Sequence, residues 1–157
     1  MNRIGLFVDV QNIYYTTRQA FGRQFNYRKL WSDLAASGQI VVANAYTTDR
    51  GDSGQQKFQA ALTHIGFNVK LKPFIQRKDG SAKGDWDVGI VIDVLDAASD
   101  LDTVVLLSGD GDFDLLLHKL RQDSSVHTAV YGVRELTAKL LIDAADEYVA
   151  IETQHLL

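Results

Sequence analysis

The sequence contains no cysteine and a single proline among its 157 residues. The missing cysteine excludes disulfides, thiolate metal sites and cysteine nucleophiles, and it fits a reducing compartment, for which the cytoplasm is the default expectation. A long apolar run is also missing, because Asp9 interrupts the N-terminal one, so we expect neither a signal peptide nor a membrane span. The net charge of −4 argues against a broad basic face for nucleic acid, but it does not exclude an enzyme whose acidic pocket holds cations.

Hydrophobic residues make up 46% of the sequence, which is enough for a sizeable core. No stretch has the composition of a linker between domains. We therefore expect one domain over residues 1–157.

Apolar runs of strand length alternate with segments of helical period, which is typical of βαβ units. The predicted fold class is α/β, with a mainly parallel, Rossmann-like sheet between two layers of helices. The predicted strands are Arg3–Asp9, Gln39–Thr47, Phe67–Ile75, Thr103–Ser108, Val126–Tyr131 and Tyr148–Ile151. The predicted helices are Ile13–Phe21, Tyr27–Ser37, Gln55–Ile65, Trp86–Ala97, Phe113–Gln122 and Arg134–Ala144.

The longest polar stretch, QRKDGSAKGD, lies between the third strand and the fourth helix, and its composition predicts a mobile loop. It carries Arg77, Lys78 and Lys83, which could steer or clamp a polynucleotide backbone. A second polar loop is predicted over Thr47–Gly54, after the second strand, at the same edge of the sheet as the end of the first.

Acidic side chains stand at the ends of two predicted strands. In open α/β sheets a ligand binds beyond the carboxyl ends of the strands, at the point where the chain order reverses. Asp9 ends the first strand, while Asp110 and Asp112 follow the fourth. If the fourth strand lies beside the first, these tips become neighbours. Asp87, which opens the fourth helix, is the third contributor.

Carboxylates gathered in this way repel one another unless protons or cations compensate. Oxygen ligands favour Mg²⁺ or Mn²⁺, and neither Cys nor a nearby His supports zinc. We therefore predict a divalent-metal site suited to phosphoryl chemistry, in which a metal-activated water is the nucleophile. Asn12 and Ser108 could orient the phosphate or the water by hydrogen bonding. The predicted ligands are Asp9, Asp87, Asp110 and Asp112.

Helix capping is the simpler explanation for some of these acids. Asp is a favoured N-cap, so Asp9, Asp85 and Asp110 could each satisfy open helix amides without any metal. Asp93, inside a helix, and Asp114, in a first turn, fit structural or solvated roles better than catalytic ones. Convergence at two strand tips still favours a site, because independent caps have no reason to converge there.

Other familiar sites find no support. The acids from Asp110 onward imitate a calcium loop, but Leu115 and Arg121 stand where that loop needs Gly and Glu. Dinucleotide-binding and Walker A motifs are missing, and the four His lack metal-ligand spacing. The aromatic side chains of Tyr14, Tyr15 and Phe21 follow the first strand on a helix, where core packing is favoured over base stacking, although Tyr14 and Tyr15 are close enough to Asp9 for one of them to meet substrate.

Three segments resemble, in the same order, the signature segments of NYN domains, which belong to the PIN-like nucleases: FVDVQNIYY, KGDWDVGIVIDVLDAA and VVLLSGDGDFDLLLHKLR. The similarity is to the LabA-like bacterial branch and spans nearly the whole chain. It implies a PIN-like sheet with strands one and four central, an acidic cluster at their tips, Mg²⁺ or Mn²⁺, and endoribonuclease activity. Gln11 stands where many relatives carry an acid or Gly, which leaves the identity of the fourth ligand open. The family's motif residues fall on Asp9, Asn12, Asp87, Ser108, Asp110 and Asp112.

The resulting hypothesis is a divalent-metal-dependent endoribonuclease that hydrolyses RNA phosphodiesters. The alternative is a non-catalytic regulatory module that binds RNA or a protein partner on the same fold. A phosphohydrolase is disfavoured because an Asp-x-Asp phosphatase would need an acid at Gln11. A protein partner in RNA processing or regulation is compatible with the sequence, and so is a homodimer, although no exposed heptad supports one.

Overall fold

The computed structural model describes residues 2–49, 52–73, 75–76, 82–83 and 85–157. The strands are β1 (Arg3–Asp9), β2 (Gln39–Asp49), β3 (Asn68–Pro73), β4 (Ile75–Gln76), β5 (Ala82–Lys83), β6 (Thr103–Leu107), β7 (His127–Gly132) and β8 (Glu147–Ala150). The helices are α1 (Val10–Phe21), α2 (Tyr27–Ser37), α3 (Ser53–Ile65), α4 (Asp87–Ala97), α5 (Asp114–Asp123) and α6 (Lys139–Ala144). Short 3₁₀ turns occupy Ala98–Asp100, Gly111–Phe113, Arg134–Leu136 and Thr153–His155.

Six strands form one parallel sheet in the order β3-β2-β1-β6-β7-β8. The chain builds outward from β1 to β3 and then crosses back to place β6 beside β1. These two central strands are the predicted first and fourth strands, so the predicted class, direction and centre of the sheet are confirmed. The reversal of chain order lies between β1 and β6, which is where a parallel sheet opens a binding crevice.

The two faces of the sheet bury separate apolar clusters because successive side chains of a strand point to opposite faces. On β1, Leu6 and Val8 pack with Ile13 of α1 on the face covered by α1, α2 and α3. Phe7 points the other way and packs with Ile90 of α4 on the face covered by α4, α5 and α6. Burial on both faces explains why β1 and β6 are continuous apolar runs without polar alternation.

The predicted long third strand and the loop after it were wrong in detail. The strand ends at Pro73, and Ile75–Gln76 pairs with Ala82–Lys83 as a two-stranded antiparallel ladder. Strands of two residues are too short to show the alternation of apolar and polar residues from which a strand is predicted. Arg77 and Lys78 lie outside the described residues, and of Lys83 the structure describes only the main chain.

The predicted helix Arg134–Ala144 was also wrong, because it is divided into a 3₁₀ turn and α6. Thr137 and Ala138 are extended, and the Thr137 hydroxyl donates to the carbonyl of Val133 at 2.7 Å. The amide of Ala138 donates to Gly109 rather than back along a helix. The second strand continues to Asp49, into the predicted Thr47–Gly54 loop.

The expectation that the tyrosines of α1 pack in the core was wrong as well. Tyr14 and Tyr15 are 41% and 50% exposed, whereas Phe21 is partly buried against the core. Ile13 and Thr17 form the buried side of α1 and turn the two tyrosines outward. In the part of the chain that the structure describes, no helix has the length and apolar character needed to cross a membrane.

Candidate metal centre

The centre begins where the two central strands end. Val8 is paired with Leu107 in the parallel register, so Asp9 and Ser108 leave the sheet side by side. The buried Ser108 hydroxyl donates to Asp9 Oδ2 at 3.0 Å and accepts from the amide of Asp110 at 3.1 Å. One hydroxyl therefore ties the carboxylate of β1 to the loop after β6.

The loop after β6 is fixed from two sides. The amide of Gly109 donates to Asn12 Oδ1 at 2.8 Å, so the first turn of α1 supports this loop directly. A Cβ at Gly109 would lie 2.6 Å from the main-chain oxygen of Leu136, which leaves room only for glycine. The predicted orienting residues Asn12 and Ser108 are thus both in the centre, and both hold the loop that carries Asp110.

Asp110 and Asp112 stand at the start of the short 3₁₀ turn that leads into α5. Asp110 is the cap of that turn, and its side chain accepts from the amide of Asp112 at 2.9 Å. The capping alternative is therefore correct for one oxygen of Asp110. Its other oxygen is not used by the cap, so capping and ligand binding are compatible at this residue.

Asp87 reaches the centre from the far side, on the first turn of α4. Trp86 anchors this turn: its indole Nε1 donates to the carbonyl of Thr47 at 2.8 Å, and its ring packs against Tyr46. The amide of Asp87 donates to Asp85 Oδ1 at 3.3 Å, so Asp85 supports the helix start as predicted. Sequence reasoning overlooked the anchoring role of Trp86, although a tryptophan beside a helix start is a signal of such packing.

Three of the predicted ligands come together. Asp87, Asp110 and Asp112, hereafter the acidic triad, each offer a carboxylate oxygen, and these atoms all lie within 4.8 Å of one another. Among the described residues this is the one set of three or more Asp, Glu, His or Cys side chains with such spacing. Asp9 lies outside the triad and is more deeply buried than Asp87, but its charge acts on the triad.

The electrostatics of the centre favour the binding of positive charge. Burial, helped by the charges of Asp110 and Asp85, raises the pKa of Asp9 to about 6, although hydrogen bonds from Ser108 and the Asn12 main chain act in the opposite direction. Burial raises the pKa of Asp87 to about 7, with added contributions from the charge of Asp110, a hydrogen bond to Asp110, and the charge of Asp9. The folded protein therefore holds protons here that isolated carboxyls would release, and a cation can take their place.

The donor set fits a hard divalent cation. Carboxylate oxygens on two sides of an open crevice suit Mg²⁺ or Mn²⁺, which take oxygen ligands and retain waters. Asp87 and Asp110 are partly buried and Asp112 is exposed, so the triad is in contact with solvent.

Two acids that were predicted to be structural are not in the triad. Asp93 Oδ2 accepts from the Tyr46 hydroxyl at 2.8 Å and pairs with the Lys70 ammonium at 2.7 Å, so it links β2, β3 and α4. Asp114 occupies the first turn of α5, where its charge favours the helix dipole.

One cation beside the centre was not predicted. The Lys72 ammonium donates to the carbonyl of Asp85 at 3.2 Å and lies 5.2 Å from the centroid of the Trp86 ring. The sequence predicted basic residues only in the adjacent loop, because alternation along β3 does not reveal which side chains reach its tip.

Comparisons with known proteins find a matching family and similar proteins. A family model described as the NYN domain matches residues 3–152. The "Low amplitude and bright protein LabA" of Synechococcus elongatus is 31% identical over 156 residues, covering 94% of this chain and 83% of that protein. The crystal structure of a Vibrio parahaemolyticus protein of unknown function is similar with a TM-score of 0.95 and 47% identity, covering 99% of this chain and 96% of that chain. Both likenesses extend over nearly the whole chain.

Proposed function

Because this chain belongs to the NYN domain family, we propose that it is a divalent-metal-dependent nuclease that hydrolyses phosphodiesters in RNA. The observation that carries the proposal is the acidic triad, in which Asp87 on the first turn of α4 meets Asp110 and Asp112 after β6, with Asp9 at the end of β1. A purely structural role does not account for this arrangement, since carboxylates with raised pKa values lower stability when they ionise.

The residues have distinct roles in this proposal. Asp87, Asp110 and Asp112 would hold Mg²⁺ or Mn²⁺. When bound, such an ion supplies Lewis acidity, which lowers the pKa of water and neutralises charge on the phosphate. Asp9 adds negative charge behind the triad and accepts from Ser108, which keeps the strand tips together. Asn12 and Ser108 position the loop after β6. The Asn12 side chain uses Oδ1 to accept from the Gly109 amide, and its Nδ2 could donate to a phosphate oxygen.

The reaction proposed is hydrolysis, with the net addition of water across one P–O bond. The oxygen of the water forms the new bond to phosphorus, the bond to the leaving ribose oxygen breaks, and that oxygen gains a proton. Asp9, which lies outside the triad and whose pKa is raised to about 6, could take up or release a proton near neutrality, whereas a bound cation would keep Asp87 ionised. RNA is the proposed substrate because of the family to which the chain belongs.

The test is cleavage of an end-labelled RNA and a DNA of matched sequence by the full chain, with Mg²⁺, Mn²⁺ or EDTA. Asp110→Asn should abolish cleavage while the protein stays folded. Asp96→Asn is the matched control, because Asp96 is an exposed acid on α4 outside the triad. Cleavage that survives in EDTA, or in folded Asp110→Asn, would contradict the proposal. Equal inertness of all forms on several RNAs would favour a non-catalytic module.

A further inference from the structure

The exposed side of α1 carries an unusual set of side chains for a surface helix. Tyr14, Tyr15, Arg18 and Arg23, hereafter the α1 strip, run along α1 and just past its end. All four are exposed. The proposed metal centre does not use them, and neither does the core.

The two tyrosines are presented rather than packed. Tyr14 and Tyr15 are 41% and 50% exposed, and their rings meet edge to face at 5.5 Å between centroids. Arg18 donates to the Tyr14 hydroxyl at 2.5 Å, with its guanidinium carbon 5.8 Å from the centroid of that ring. Each contact holds a ring in place while leaving surface open, which is how aromatic platforms receive bases.

The α1 strip carries two guanidinium groups, those of Arg18 and Arg23. Neither Arg18 nor Arg23 is within salt-bridge distance of a carboxylate side chain among the described residues. Arg23 Nε donates to the main-chain oxygen of Leu157 at 2.8 Å, which orients the guanidinium. By contrast, five other cations pair with acids: Lys29, Lys70, Lys119, Arg121 and Lys139. A chain of net charge −4 has little positive charge to spare, so unpaired guanidinium groups here are significant.

The α1 strip also has a fixed relation to the metal centre. Asp9 directly precedes α1, and Asn12 in the first turn supports the Gly109 loop. At the usual helical rise of about 1.5 Å per residue, Arg18 lies about 14 Å along the axis from Asp9. That span corresponds to about four nucleotides of a stacked strand at about 3.4 Å each.

A shallow cavity of ≈ 220 Å³ marks the far part of the strip, where Tyr14, Arg18 and Arg23 line it together with Gly22 and Gln24. It offers an aromatic face, two guanidinium groups and an amide. This combination suits a base and its phosphate better than an apolar ligand.

We propose that the α1 strip binds single-stranded RNA on one side of the cleaved phosphodiester, with bases stacked on Tyr14 and Tyr15 and phosphates bound by Arg18 and Arg23. The identity of the cleaved strand rests on the proposed function, whereas the strip itself can be tested by binding alone. Stacking on an open ring tolerates any base, so binding is broad in sequence and requires an unpaired strand. A duplex, whose bases face one another, cannot stack on the strip.

Binding is measured with a fluorescent, unstructured oligouridylate and the full chain carrying Asp110→Asn, so that the probe is not cut. Adding Tyr14→Ala should weaken binding on the order of tenfold through the loss of one stacked base, and Tyr14→Phe should retain most of it. Arg18→Gln should weaken binding and reduce the salt slope by about 0.7, the value for one phosphate of a single strand. Lys119→Gln is the matched charge loss on the opposite face of the sheet and should leave affinity unchanged. Circular dichroism confirms the fold of each variant.

Cleavage separates this inference from the proposed function. In the active chain, Tyr14→Ala and Arg18→Gln should raise KM with much smaller effects on kcat. If the wild type cuts RNA while both variants bind and cut like their parents, the role of the strip is refuted and the nuclease stands. If the binding effects are found but the wild type cuts nothing, the strip stands and the nuclease proposal fails. A parent that binds a hairpin duplex as tightly as the oligouridylate refutes the preference for unpaired RNA.

Discussion

Replacing Asp110 by Asn should stabilise the metal-free protein while removing its response to metal. Asp110 is the neighbouring charge that contributes most to the raised pKa of Asp87, and it also raises the pKa of Asp9. Asn keeps an Oδ1 that can still accept from the amide of Asp112, so the cap is preserved. The variant therefore deletes repulsion without deleting a structural contact.

The size of the effect follows from the geometry of the triad. Two unit charges 4.8 Å apart repel by about 3.5 kcal/mol at an effective dielectric constant of about 20. Exposure of the triad to solvent lowers that figure, and we expect a net gain of about 1 to 2 kcal/mol in the free energy of unfolding. For a chain of this length each kcal/mol shifts Tm by about 3 °C, so the expected rise is about 3 to 6 °C.

The assay is thermal unfolding followed by circular dichroism at about pH 8, above the raised pKa of Asp87, which is about 7. In EDTA, Asp110→Asn should have a higher Tm than the wild type, and the control Asp96→Asn should have the same Tm as the wild type. Saturating Mg²⁺ should raise Tm for the wild type and Asp96→Asn, because a ligand that binds only the folded state stabilises it. Two outcomes would refute the reasoning: a variant that melts below the wild type in EDTA, or one that keeps the full Mg²⁺ shift.

Three further predictions test other parts of the centre. Asp9 and Asp87 have raised pKa values, so their protonation stabilises the fold. In urea unfolding with EDTA, their contribution to the free energy of unfolding should increase as the pH falls from about 7 towards 4. A free energy of unfolding that rose steadily with pH over that window would contradict the raised pKa values of these two carboxyls. Gly109→Ala should abolish cleavage because its Cβ would meet a main-chain oxygen at 2.6 Å, whereas Gly54→Ala, with its nearest contact at 3.5 Å, should cut normally. Asn12→Ala leaves the Gly109 amide without its hydrogen-bond partner, so it should lower the free energy of urea unfolding by about 1 to 3 kcal/mol and should also slow cleavage. If both quantities are unchanged, the positioning role of Asn12 is refuted.

The elements that could be predicted from the sequence are those with a strong local pattern of apolar residues. The apolar runs of β1 and β6 are buried on both faces, so they identify central strands, and the acids at their ends follow from that placement. The two-residue strands β4 and β5 give no period. The division before α6 depends on Ala138 donating to Gly109, a contact that only the tertiary fold creates. Asp87 is positioned by the Trp86–Thr47 hydrogen bond, which joins segments distant in the sequence.

The position of the tyrosines on α1 was missed for a related reason. A helix beside a sheet buries one stripe, and in α1 that stripe is completed by Val10, Ile13 and Thr17. Tyr15 lies well away from that stripe, whereas Tyr14, one turn after Val10, lies at its edge and is still 41% exposed. Aromatic residues beyond the complete stripe are therefore surplus to packing, and surplus aromatics next to unpaired arginines indicate a binding surface.

A nuclease of the proposed kind, acidic both overall and at its centre, would repel its polyanionic substrate. The triad repels phosphate until a cation is bound, so initial capture of RNA cannot depend on the centre alone. The α1 strip offers a solution, since stacking supplies affinity that does not depend on net charge, and the guanidinium groups of Arg18 and Arg23 add local attraction, with Arg18 about 14 Å along α1 from Asp9. Under this division of roles, loss of metal should weaken RNA binding by the wild type, whereas loss of the strip should weaken it with or without metal. Equal affinity of wild type and Tyr14→Ala in EDTA would show that capture lies elsewhere.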